Sequence, residues 1–154
     1  MPPRHGGGDT DRQPTPTSLA KGPGSTILVG ELAHEEPGAA RIDMLRAGGG
    51  YLGFIGKGGS ILNVKGGLST ITGVAYDGSA YYVSQLFAGN PQLPGLLTKI
   101  DARTGKTTSV AVPFPGGVAT DGHGNVYVAA WSIASAKGAF GAPMSSGQVW
   151  RLRM

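Results

Sequence analysis

Along the chain, apolar residues alternate with polar ones in short runs separated by glycine, proline and acidic or amide turn residues. That is the period of half-buried strands, not of helices. The clearest case is Val118-Ala119-Thr120, then Asp121-Gly122-His123-Gly124-Asn125, then Val126-Tyr127-Val128. The outer runs suit a pleated surface and the residues between them accept positive φ, so the segment predicts a β-hairpin. Thr72-Gly73-Val74-Ala75-Tyr76-Asp77-Gly78-Ser79-Ala80-Tyr81-Tyr82-Val83 has the same form, and residues 17–32 have it more loosely. A further alternating run follows each hairpin: Ala40-Arg41-Ile42-Asp43-Met44-Leu45, Leu97-Thr98-Lys99-Ile100-Asp101 and Gln148-Val149-Trp150-Arg151-Leu152.

Aligned on Leu19, Val74 and Val118, the three hairpins recur at spacings of 55 and 44 residues. Periods of about 40 to 50 residues built from strands alone suggest propeller blades. A fourth strand follows the second copy at residues 107–112, behind the turn at 103–106, and Ile61-Leu62-Asn63-Val64 closes the first copy. The third copy has no such strand. The sequence therefore predicts an all-β chain: a disordered leader over 1–16, then a partial β-propeller over 17–154. Its blades span about 17–64, 71–112 and 116–154, which amounts to half of a six-bladed ring. Closed propellers need about four to eight blades. An open arc leaves strand edges that invite another chain. The expectation is a fragment of a longer protein, a homodimer formed through open blade edges, or a chain that does not fold stably alone.

Composition sharpens this in three ways. The 28 glycines fit many tight turns. The absence of cysteine removes disulfides, thiolate nucleophiles and cysteine-type zinc sites together. The net charge of +4 comes from scattered single residues, with no Lys/Arg cluster interleaved with aromatics, so nucleic-acid binding is not expected. Residues 1–16 carry prolines, glycines and charges but no apolar core of the kind a secretory signal needs, and no run approaches the roughly 20 apolar residues of a membrane span. The expectation for the chain as written is a cytoplasmic protein with no membrane span.

Glu31, Gln85 and Ala130 hold the same position in the three copies, just past the second strand, where side chains would face a central channel. The loops that follow, including Phe87 to Gly95 and residues 132–147, are the expected interaction surface for a small molecule or a protein. Candidate contact residues are Glu31, Gln85, Asn90 and Trp131. Trp131 and Trp150, at alternating strand positions, are expected to pack within blades, although either could stack on a flat ligand. Residues 121–125 lack the spaced carboxylates of a calcium loop and read as a turn. His34-Glu35-Glu36 offers a general acid or base without an accompanying nucleophile. Gly48-Gly49-Gly50 and the glycines at 56, 58 and 59 lack the helix start and lysine of a phosphate loop.

Residues 113–119, 126–133 and 146–152, with Pro113-Phe114-Pro115-Gly116-Gly117-Val118-Ala119 and Ser146-Gly147-Gln148-Val149-Trp150-Arg151-Leu152, resemble the ScyD/ScyE family. These are propeller proteins related to NHL-repeat and SMP-30-like domains. Thr72 to Ala75 with Tyr82 to Leu86, and Leu28 to Leu32 with Gly38 to Arg41, are similar to the preceding blades of that family. The resemblance covers about residues 17–153 and implies the C-terminal half of a propeller whose relatives are often exported. It implies a polar residue such as asparagine at position 130, where this chain carries alanine. In SMP-30-like lactonases a divalent metal is held at the channel mouth by Glu, Asn and Asp oxygens, the hard ligands that suit such a cation. Glu31 is the one candidate metal ligand here, and calcium the candidate cofactor. The expected function is a non-catalytic binding or scaffold module. The alternative is a metal-dependent lactonase or hydrolase completed by missing blades or a partner chain.

Overall fold

The computed structural model describes residues 15–32, 37–46, 60–92, 94–133 and 147–154, with 60–63 described by their backbone. The expectations for most of the leader, for His34, Glu35 and Glu36, for the glycine-rich stretches 47–50 and 56–59 and for most of the loop 132–147 fall outside them. Eleven strands are formed and, among the described residues, no helix. They are β1 (Pro16–Lys21), β2 (Thr26–Glu31), β3 (Ala40–Arg46), β4 (Ser60–Leu68), β5 (Ile71–Tyr76), β6 (Ala80–Gln85), β7 (Leu96–Asp101), β8 (Thr107–Ala111), β9 (Val118–Thr120), β10 (Val126–Ala130) and β11 (Gln148–Leu152). Strands consecutive in the chain pair antiparallel into three sheets, β1-β2-β3-β4, β5-β6-β7-β8 and β11-β10-β9, none of them closed. The all-β expectation holds, the third sheet has three strands among the described residues, and β4 is longer than the four residues expected of it.

The registers make the sheets comparable position by position. Leu19 faces Val29 as Val74 faces Val83, and Ile27 faces Leu45 as Tyr81 faces Ile100. In each sheet, alternate residues point to opposite faces. The front face of the second sheet carries Val74, Tyr81, Val83 and Ile100, all buried against Leu28, Ala40 and Ile42 on the back of the first. Its own back face, with Ala75, Tyr82 and Leu97, is buried against Val126, Val128 and Ala130 on the front of the third. The sheets are thus stacked back to front, and each junction is an apolar core.

Small residues set how closely the sheets approach. Ser18 faces Gly30 across the first two strands of the first sheet, and Gly73 faces Ser84 in the second. A Cβ on Gly30 would lie 2.6 Å from Ile71 Cγ2 and 2.9 Å from Val74 Cγ1; one on Gly73 would lie 2.8 Å from both Gly116 O and Val118 N. No side chain fits at either place without pushing the next sheet away. Hydrogen bonds fasten the same points. The Thr17 hydroxyl donates to Ile71 O at 2.6 Å, and at the corresponding position Thr72 donates to Pro115 O at 2.8 Å, helped by Ser84 Oγ donating to Gly116 O at 2.5 Å.

At one end of the stack the turns are locked by aspartates. Asp77 Oδ1 accepts from Ser79 N and Ala80 N, and its Oδ2 accepts from the Tyr82 hydroxyl at 2.8 Å. Asp101 Oδ1 accepts from Arg103 N and Thr104 N, and Asp121 accepts from His123 N, Asn125 N and the Asn125 amide. These are Asx turns, in which a side chain replaces the missing ladder partner. Burial pushes the Asp77 carboxyl up, but its four donors outweigh that and hold it below the ordinary 3.8. The Thr104 donors lower Asp101, and the Asn125 amide with the His123 N–H takes Asp121 down to about 2. Burial and the bond to Asp77 push Tyr82 up to about 12.

Two outcomes follow from this packing. Gly73→Val should lower stability by about 2–3 kcal/mol in urea unfolding, because the obstructing atoms are backbone and cannot swing aside. The three aspartates ionise more readily folded than unfolded, so the stability they add is complete above about pH 4 and drains away as the pH falls toward 2. Asp77→Asn should flatten that acid limb in a pH series of urea midpoints.

Candidate functional site

The opposite end of the stack carries the β2–β3, β6–β7 and β10–β11 connections and the links between sheets. Glu31, Gln85 and Ala130 are the last residues of β2, β6 and β10 and lie at this end. Their surroundings differ in each sheet. Glu31 and Asp43 are buried carboxylates, and Arg41 Nε sits 2.9 Å from Glu31 Oε2 and 2.9 Å from Asp43 Oδ2. The Nε–H of Arg41 is aligned with neither oxygen, so at Nε the contact is a close-range charge attraction. Burial pushes Glu31 up, the Arg41 charge pulls it back, Asp43 pushes it up again, and the result lies above the ordinary 4.5.

Gln85 is not presented to solvent at all. Its Oε1 accepts from Ser69 N at 2.9 Å and its Nε2 donates to Thr98 Oγ1 at 2.8 Å, with Thr98 and Ser109 hydroxyls 2.8 Å apart beyond it. It ties the link before β5 to the second sheet. Ala130 is buried and contributes only volume. Asn90 is exposed in the β6–β7 loop, where its Oδ1 accepts from Gln92 N at 2.9 Å.

Trp131 is not in a strand. It follows β10 at φ 58°, with its ring tilted against Phe114 at 5.9 Å between centroids, so its expected alternation with Val128 gives way to a turn. Trp131 nonetheless packs on the second core, as does Trp150 in β11, both as expected. Among the described residues, Thr70, at φ 40°, and Phe114, at φ 44°, complete the set of non-glycine residues in the left-handed region. All three lie at this end, and left-handed backbone costs about 1–2 kcal/mol per residue. The Thr70 hydroxyl is also buried without a partner among the described residues. Sequence reasoning missed Arg41, whose only signal was a basic residue two positions before Asp43 and in a strand beside Glu31. It placed Phe87 and Ile133 within the expected interaction loops without singling out either; Phe87, in the β6–β7 connection, is 41% exposed and Ile133, after β10, 56% exposed.

Among the described residues there is no group of three or more His, Cys, Asp or Glu side chains placed to hold a metal ion. A hard cation would compete with the Arg41 guanidinium for the same two oxygens. The aspartate-locked end carries a shallow open cleft lined by Lys21, Gly22, Pro23, Gly24 and Tyr76. Its phenol already donates to Gly78 O at 2.8 Å, so the cleft brings no set of reactive groups together.

Arg41→Met should cost about 2 kcal/mol at pH 7, the buried-pair penalty reduced because the arginine is partly exposed. Two apposed carboxylates then raise Glu31 further, so the deficit against wild type should shrink as the pH is lowered to about 5, read from urea midpoints at the two pH values. Compared with protein-family models and with curated proteins, the sequence matches none.

Proposed function

We propose that this chain is a non-catalytic binding or scaffold module built from propeller-type repeats, as the resemblance to the ScyD/ScyE family implies, and that its ligand or partner docks at the loop-bearing end. One observation carries the reading. Among the described residues, all three strained non-glycine residues, together with the exposed Phe87 and Ile133, lie at that end, while the other end is tied off by Asp77, Asp101 and Asp121. Backbone strain and exposed apolar side chains both cost stability, and they concentrate where a surface binds something.

Glu31 and Asp43 serve as a charged floor, partly offset by Arg41. Gln85 acts through structure, and the contact residues are Asn90, Trp131, Phe87 and Ile133. The lactonase alternative needs free carboxylates for a cation, and Arg41 stands between Glu31 and Asp43, the two buried carboxylates among the described residues.

Calcium and a simple lactone discriminate these readings. The binding reading expects no calcium-dependent thermal shift at about 10 mM, a concentration that nearly saturates even the weaker protein calcium sites, and no lactone hydrolysis. It further expects that a compound found to stabilise the wild type loses that effect in the Phe87→Ser, Ile133→Ser double variant, whose own unfolding midpoint is nearly unchanged. Calcium-stimulated hydrolysis, or stabilisation indifferent to both substitutions, would overturn it.

A further inference from the structure

The stack has two ends of another kind, the outermost faces of the first and third sheets. The first sheet's front face carries Leu19, 69% exposed, and Ile27, 46% exposed. The residues at the corresponding positions of the second sheet, Val74 and Tyr81, are buried at 4% and 8% against the sheet before them. The third sheet's back face carries Ala119 facing Tyr127, as Ala75 faces Tyr82, and Val149 facing Ala129, as Leu97 faces Ser84. Val149 is 74% exposed where Leu97 is fully buried.

The close-approach site is open there too. Gly117 pairs with Ala129 in the place of Gly73 with Ser84, since Ala129 N donates to Gly117 O at 2.9 Å. A Cβ on Gly117 would meet nothing within 4 Å, whereas one on Gly73 meets the next sheet. Twice within the chain a back face of this construction is covered by a front face in the same register; on the first sheet that face also carries Val29 and Asp43, paired across β2 and β3 and buried at 7% and 4%, with Asp43 standing where the second sheet has Thr98. Among the described residues, one unused copy of each half of that junction remains.

We propose that these two faces bind each other between molecules: the back of the third sheet of one copy takes the front of the first sheet of a second copy. Leu19 of the second copy would lie over Gly117 and Ala129, as Val74 lies over Gly30. The contact is head to tail, so a two-copy assembly holds two identical junctions if it closes, and chains lengthen if it does not. The docking proposed here uses a sheet face, where the sequence pointed to open strand edges. The proposal stands on the sheet packing and not on what the loop-bearing end binds.

The test is light scattering of the wild type and of variants that each disable one face. Leu19→Arg spoils the front face, and Gly117→Val fills the open notch on the back face without touching the chain's own core; Ile27→Lys and Val149→Lys, both at exposed positions, are second choices for each. Wild type should run as two or more copies, and each variant as a folded monomer by circular dichroism, with association weakened at least about tenfold. Mixing Leu19→Arg with Gly117→Val should restore a species of two copies, one of each, because each retains the face the other lacks. A wild type monomeric up to about 0.1 mM, with its faces then left to further sheets of a longer chain, would overturn the proposal. So would variants that associate as well as wild type, or a mixture that stays monomeric.

Discussion

The spacing between sheets governs what the rest of the molecule can do. Three sheets stacked back to front must come close enough for Val74 to press on the backbone at Gly30 and for the backbone at Val118 to lie against Gly73. Removing a side chain at these two points admits the neighbouring sheet, and the Thr17 and Thr72 hydroxyls then hold it by bonding to main-chain oxygens of the sheet beyond. An apolar junction alone is tolerant of sliding. The hydroxyl bonds give it a register, and with it the alignment of strand ends that separates a turn end from a loop end.

That separation divides labour along the strands. At the turn end, Asp77, Asp101 and Asp121 each gather several donors, so the backbone groups released by the hairpins are satisfied locally and no ligand is needed to finish them. At the loop end the satisfaction is incomplete and costly. Thr70, Phe114 and Trp131 hold strained backbone, the Thr70 hydroxyl has no partner among the described residues, and a guanidinium is spent on two buried carboxylates. The binding reading proposed above rests on this contrast.

Much of the strand pattern was legible because a period of two and the turn residues act over a few positions. Val118-Ala119-Thr120 and Val126-Tyr127-Val128 pair as their alternation required, and Asp121 closes the turn that its position beside Gly122 suggested. The third strand of each sheet was legible for the same reason. Trp131 was not, since adjacency to Val128 cannot reveal that the strand ends one residue earlier in a left-handed turn stabilised by Phe114. Glu31 and Gln85 were legible as equivalent positions. Their different fates depend on Arg41 and Asp43 from β3 in one case and on Ser69 and Thr98 in the other.

The sequence by itself determined that this chain makes strands, where its hairpins turn, and which positions correspond among them, because alternation and turn chemistry are local properties of the backbone. Only the tertiary structure decided which face of each sheet is covered, that Gly30 and Gly73 are contact points while Gly117 is open, and that Gln85 is consumed by packing while Glu31 is held by an arginine. The sheet contacts are fixed by residues 40 or more positions apart meeting across a junction, as Thr17 meets Ile71 and Thr72 meets Pro115, and the fates of Gln85 and Glu31 by partners in a neighbouring strand or link. No local pattern encodes a meeting of that kind.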